Sequence, residues 1–245
     1  MTMHPPGPAD WAEWDVSRAR FALYFAPPRA SEWWTAGCSW LGRDAETGEP
    51  VSLPEGIDVA RITRVAARYG WHGTIFPPFH LRDGLTPAHL LTTVQLLANS
   101  IAPFDLAVAP TWFRGFIALR PALGDGDDWT GTIASQALQR LFPLCRPLSP
   151  SETERRRTPE LTKRQGELLT RWGYPYVLDE FLFHMTLTDP VADPEEVQAL
   201  IGWWQKQCDR LGPVPFDNLA LFVEREPDEP FMLWTRIPLL AGVSA

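Results

Sequence analysis

Apolar positions along this chain fall in short blocks, most of them stopped by proline. Phe21–Ala26 is an unbroken apolar block closed by Pro27-Pro28 and predicts a buried strand. Ser31 can cap a short helix through Trp33, Trp34 and Trp40, and an acidic loop covers 43–55. A helix around Ile57 to Arg68 is expected next. Trp71–Phe79 (WHGTIFPPF) then reads as a strand that Pro77-Pro78 ends. Thr86-Pro87 starts a helix carrying Leu90, Leu91, Val94 and Leu97 to about Asn99. Pro103-Phe104-Asp105 opens a strand through Val108, and Trp112 to Leu119 forms another that ends at Arg120-Pro121. Asp127 or Asp128 caps a helix to Phe142. Ser149–Glu152 and Thr162–Gln165 have capping-box spacing. The first precedes a charged turn whose Arg155-Arg156-Arg157 reads as a solvated face; the second starts a helix that Gly173 closes.

The second half repeats the first. Phe181–Thr188 (FLFHMTLT) is an apolar strand with the same His-x-Thr pattern as 72–74, and Asp193-Pro194 caps a helix that Gly212 stops. Pro215-Phe216-Asp217 opens a strand through Phe222, and Pro230 to Trp234 makes the return strand, ending near Pro238. The His lies 33 residues before the Asp of Pro-Phe-Asp in both halves, from 72 to 105 and from 184 to 217. Duplicated units pack about a pseudo-two-fold axis, and equivalent positions then face each other. The expected class is α+β: a duplicated bilobal fold of two antiparallel sheets, with outer helices, around a central cleft. Residues 1–15 read as a tail in which His4 has no role, and 16–240 as one domain with halves centred on about 70–121 and 180–238.

Composition narrows the partners. The 245 residues are 45% hydrophobic and 21% charged, as in ordinary soluble domains, with a formal charge of −8. An acidic chain lacks the basic surface a long nucleic acid needs, so a small phosphorylated substrate fits better. Cys38, Cys145 and Cys208 are scattered and odd in number, which suggests neither a disulfide framework nor a metal site. With no apolar run of membrane-spanning length and no leader-like start, a cytoplasmic protein without membrane contact is expected, and a monomer is the default.

Side chains two apart on a strand share a face, so His72 and Thr74 point one way, as do His184 and Thr186. Two histidines on one cleft suit in-line displacement at phosphorus. One neutral imidazole removes a proton from water and the other, as imidazolium, protonates the departing oxygen. The threonine hydroxyls donate to the non-bridging oxygens. This scheme requires no metal and no cofactor. A single His-x-Thr is most often structural, and it is the matched pair that points to a site. Phe76 and Leu182 share the strand parity of the histidines and would keep the site dry. His80 reads as structural, His89 as an ordinary helix residue. Asp179 or Glu180 would be needed to complete a zinc site, and no ligand spacing supports one. No Gly-rich phosphate loop or Gly-x-Ser-x-Gly elbow occurs.

Paired His-x-Thr motifs on duplicated lobes resemble the two-histidine (2H) phosphoesterase superfamily, which includes bacterial RNA 2′,3′-cyclic phosphodiesterase/2′-5′ ligases. Residues 21–28 (FALYFAPP), 40–44 (WLGRD), 69–79 (YGWHGTIFPPF) and 171–188 (RWGYPYVLDEFLFHMTLT) look like its branch of phosphonate-metabolism proteins. The similarity spans about residues 20–238. It implies metal-independent opening of a cyclic phosphodiester, with His72 and His184 as the catalytic pair and Thr74 and Thr186 holding the phosphate. In that branch a lysine commonly precedes the double proline, where this chain has Phe76. Arg120, Arg236, Tyr24 and Tyr176 are candidates to compensate in substrate binding.

The expectation is therefore a hydrolase for a cyclic phosphodiester of a small sugar or nucleotide, with a sugar cyclic phosphate of phosphonate breakdown as the sharper form of the resemblance. RNA-end processing and a non-catalytic nucleotide-binding module are the alternatives. A binder would show no turnover and no dependence on pH across the histidine range.

Overall fold

In a computed structural model of the protein, which describes residues 14–122, 127–158 and 160–242, the apolar block at Phe21 forms β1 (Arg20–Phe25). Its last five residues are buried, as a strand covered on both faces requires. Ser31 accepts from Trp34 N and caps α1 (Glu32–Leu41). The helix expected around Ile57 to Arg68 is two short ones, α2 (Val59–Ile62) and α3 (Arg64–Tyr69), broken at the buried Thr63, whose hydroxyl donates to Val59 O. There follow β2 (Gly73–Phe79), α4 (Pro87–Ala98), β3 (Phe104–Leu106), β4 (Val108–Phe113), β5 (Phe116–Pro121) and α5 (Asp127–Leu141). Then come α6 (Pro150–Arg156), α7 (Lys163–Trp172), β6 (Met185–Thr186), α8 (Pro194–Leu211), β7 (Val214–Phe216), β8 (Asn218–Glu224) and β9 (Met232–Pro238).

Three expectations change in detail. Residues 112–119 are not one strand, because Arg114 and Gly115 take positive φ (50° and 96°) and turn β4 into β5 as a two-residue hairpin. The predicted strand Phe181–Thr188 keeps only two residues as β6, after a 3₁₀ turn at Leu178–Glu180. The charged turn after Ser149 is a helix, α6, with both halves of its capping box in place. His4 and the side chains of Asp127 and Asp128 lie outside what the structure describes, but Trp14 at the end of the supposed tail packs edge-on against Trp234.

The class is α+β, with one seven-stranded sheet in the order β4-β5-β6-β2-β1-β8-β9 and one two-stranded sheet, β3-β7. Every strand pair is antiparallel. The two His-x-Thr strands meet where Gly73 pairs with Met185, and the two Pro-Phe-Asp strands meet where Phe104 pairs with Phe216. Both pairs join positions 112 apart, 73 to 185 and 104 to 216, so each residue faces its own counterpart. That is the register of a two-fold axis. The aromatic rings of Phe104 and Phe216 stack at 4.7 Å on it. The N-terminal strand breaks the symmetry. β5 pairs directly with β6, but β1 stands between β2 and β8 and leaves β9 at the edge. Among the described residues, no helix is long and apolar enough to cross a membrane.

Candidate active site

The site is set by the Gly73–Met185 pairing. Extended by one residue each way, that antiparallel register puts His72 opposite Thr186 and Thr74 opposite His184. Directly opposed side chains on one face have Cβ atoms about 4.5–5.5 Å apart, and diagonal neighbours such as His72 and His184 stand at about 7–8 Å. Each histidine therefore stands opposite the threonine of the other motif across the strand pair, which places the two His-x-Thr motifs side by side on adjacent strands. Gly73 makes this approach possible. A Cβ there would run into the ring of Phe183 and lie 3.3 Å from Met185 Cγ.

Both imidazoles are oriented in the same way. His72 Nδ1 lies 2.8 Å from Gly70 O, and His184 Nδ1 lies 2.9 Å from Leu182 O, in each case the carbonyl two residues back. Nδ1–H is therefore the donor, and Nε2 carries the lone pair on the cleft side. Thr74 Oγ1 is 3.3 Å from His72 Nε2 and donates to it. The carbonyl that holds His72 follows α3, and that helix is fixed at both ends. Asp189 accepts from the amides of Val65 and Ala66 at the helix start, and Arg43 donates to Ala67 O and Arg68 O near its end. The Arg43 of the WLGRD block is thus a brace for the segment that carries His72.

Burial dominates the electrostatics. His72 is pushed down to about 4 by desolvation, partly offset by the Gly70 carbonyl, with the neighbouring His184 lowering it further. His184 is also lowered by burial, against the pull of the Leu182 carbonyl, and then by the charges of Arg114 and Arg120. Both are neutral near pH 7.

Two cavities flank the quartet. One of about 340 Å³ holds Thr74 and His184 with Phe76, Arg114, Tyr176 and Leu182 on its walls. The other, about 270 Å³, holds His72 and Thr186 with Tyr69 and Asp189. Phe116, first residue of β5, lines both and forms the wall between them. Its ring centroid is 5.8 Å from that of His184.

The binding candidates are placed unequally. Arg120 lies opposite His184 on the same face, by the Leu119–Met185 register, and its guanidinium rests 4.9 Å over Phe113. Tyr176 lines the larger cavity beneath the guanidinium of Arg114, 4.7 Å away. Tyr24 is 1% exposed and stacks on His72, so its ring supports the imidazole from behind. Arg236 sits three strands from Thr74 through Ala220 and Tyr24, roughly 14 Å at the usual strand spacing. There it pairs with Glu46 at 2.6 Å and lies over Trp34, so the cleft does not receive it. Phe76 is buried edge-on to Phe79.

Sequence reasoning missed Arg114 and Phe116. The signal was available: Arg-Gly between two apolar stretches is a two-residue hairpin, which throws one side chain out at the tip and the next onto the sheet face. Asp179 and Glu180, the zinc alternative, are engaged by Arg164 and Gln165. The three cysteines are free.

Against known proteins, the chain belongs to the family described as "Protein of unknown function (DUF1045)", whose model matches residues 74–232. It is 40% identical over 227 residues to a protein of Laribacter hongkongensis (strain HLHK9) named ribose 1,5-bisphosphate phosphokinase PhnN. It is 34% identical over 240 residues to a protein of the same name from Janthinobacterium sp. (strain Marseille). The alignments cover 92% and 91% of this chain but 53% and 51% of those proteins, so the chain spans about half the length of these curated relatives. Among solved structures, TT0787 of Thermus thermophilus matches 91% of this chain and 99% of its own, with a TM-score of 0.43 and 14% identity.

Proposed function

We propose that this chain is a two-histidine phosphoesterase that opens a cyclic phosphodiester on a small sugar or nucleotide substrate without a metal. The observation that supports the reading is the Gly73–Met185 register, which brings the two His-x-Thr motifs onto adjacent strands, each with its histidine Nδ1 held by a backbone carbonyl. His72 is the base. Its depressed pKa keeps it neutral, and Nε2 takes the proton of the attacking water as the new P–O bond forms. His184 is the acid. The bound anionic diester offsets the charges of Arg114 and Arg120, raises the His184 pKa and lets Nε2–H protonate the leaving oxygen as its bond to phosphorus breaks. Thr74 and Thr186 then donate to the non-bridging oxygens.

The kinase name of the relatives describes proteins about twice as long. A kinase of the P-loop type cradles nucleotide phosphates with a G-x-x-x-x-G-K-[ST] loop, and this sequence has none. The part they share with this chain is, in our reading, a phosphoesterase unit acting on related sugar phosphates, in line with the resemblance to phosphonate-metabolism proteins. The test is turnover on a panel of cyclic phosphates with His72→Ala and His184→Ala beside wild type, in chelator. A loss of about 10²–10⁴-fold in kcat is expected for each variant. Full activity in either, or ATP-dependent phosphorylation of ribose 1,5-bisphosphate by the isolated chain, overturns the proposal.

A further inference from the structure

Next to the larger cleft cavity lies a third one of about 450 Å³, and the two share Phe76, Pro77 and Tyr174 as a wall. It is lined by Arg20, Arg82, Arg146, Arg155, Arg156 and Arg171, with Glu152 as its acidic member. A protein whose formal charge is −8 has thus placed six guanidinium groups around one cavity next to its candidate active site.

Few of these charges are spent internally. Arg20 is neutralised by the buried Glu224, and Arg146 reaches Glu152 at 3.3 Å. Arg156 donates to Gly173 O, the carbonyl just before Tyr174, and Arg171 lies over Trp172. No acidic partner within ion-pair distance of Arg82, Arg155 or Arg171 occurs among the described residues. Burial lowers the Arg156 pKa, Glu152 opposes that, and Arg20 and Arg155 lower it further. Five of the six, all but Arg20, are exposed, so solvent screens part of their mutual repulsion, and an anion seated among them would offset more of it.

We infer that this cavity is a second anion subsite, built for a phosphate monoester dianion. Guanidinium forks bind phosphate oxygens in bidentate pairs, and several can share the three terminal oxygens of a monoester. The run Arg155-Arg156-Arg157, read from sequence as a solvated face, places two of its members on this cavity through α6. The monoester could be carried by the cleft's own substrate, a form of the inference that rests on the proposed function, or by a separate small anion.

The test has two arms. In the first, kcat/KM is compared for adenosine 2′,3′-cyclic phosphate and for the same compound bearing a 5′-phosphate, in wild type and in Arg155→Ala, Arg171→Ala and Arg82→Ala. Wild type should favour the phosphorylated substrate by about tenfold or more. The variants should lose that preference while handling the unphosphorylated substrate as wild type does. In the second, pyrophosphate binding is measured by calorimetry on wild type, His72→Ala and Arg155→Ala/Arg171→Ala, which needs no turnover. Binding retained by His72→Ala and lost by the arginine variant supports the subsite even if the cleft reaction is another one. If no preference appears and pyrophosphate binds wild type and the arginine variant alike, the inference is overturned.

Discussion

The imidazole of His72 is stacked face to face on the ring of Tyr24, with centroids 3.8 Å apart and planes 21° from parallel. Tyr24 is in turn packed against Phe222 and Phe231, so one face of the imidazole is sealed by aromatic rings while its Nε2 edge meets the cleft. This contact is part of the burial that depresses the His72 pKa. Replacing Tyr24 by Leu removes the sealing ring and admits water. The His72 pKa should rise from about 4 toward its ordinary value, an upward shift that an NMR titration of the imidazole protons measures. Tyr24→Phe, which keeps the ring, should leave it in place. An unchanged titration in Tyr24→Leu would exclude the stack as the cause.

His72 also ties stability to pH. Its folded pKa lies below the unfolded value, and for a base this means that the unfolded chain binds the extra proton between the two. The contribution of the neutral imidazole is therefore fully present above about pH 6.5 and is lost as pH falls toward about 4. Urea midpoints across this window should drop more steeply for wild type than for His72→Gln. Parallel slopes would contradict the assignment.

Gly73 is predicted to tolerate no side chain. Gly73→Ala forces a methyl into the Phe183 ring, and overpacking of this kind costs about 1–3 kcal/mol. It also pushes apart the strands that set the His–Thr geometry, so activity should fall further than stability alone explains. Adding Phe183→Leu should recover part of both in melting and turnover assays.

Phe116 separates the two cavities that hold the two halves of the quartet. Phe116→Ala joins them, and bulkier groups on the scissile phosphate should then be accepted with a lower KM. Because the residue supplies no proton, kcat on a small cyclic phosphate should change by less than about tenfold, far below the effect of losing a histidine. A comparison of methyl-sized and nucleoside-sized substrates decides this.

Much of the framework was legible because it is local. The caps at Ser31, Ser149, Thr162 and Asp193 act at short range, and each side chain accepts the amide that its spacing predicts. The His-x-Thr faces needed only the two-residue strand period. What escaped depends on contacts between distant segments. His89 serves α4 as a capping partner by accepting from Thr86 N, a role usually read from Glu or Gln, so its type gave no cue. The place of β1 between β2 and β8 was hidden, since an apolar strand carries no label for its neighbours. Arg236 looked equivalent to Arg120 at the end of a return strand, but β5 abuts β6 whereas β9 is an edge. The symmetry visible in the sequence failed there, and Arg236 went to Glu46 instead.

That inserted strand has a consequence for how the protein is made. β1 pairs early with β2, but its other edge waits for β8, whose Val223 is the partner of Phe21. On a ribosome adding roughly 5–20 residues per second, the interval from residue 21 to residue 223 is about 10–40 s. Throughout it a strand as apolar as FALYF offers unpaired backbone to any other nascent chain. Synthesis rate and chaperone supply, more than final stability, should therefore govern the soluble yield, and truncations before β8 should aggregate rather than fold as half a molecule.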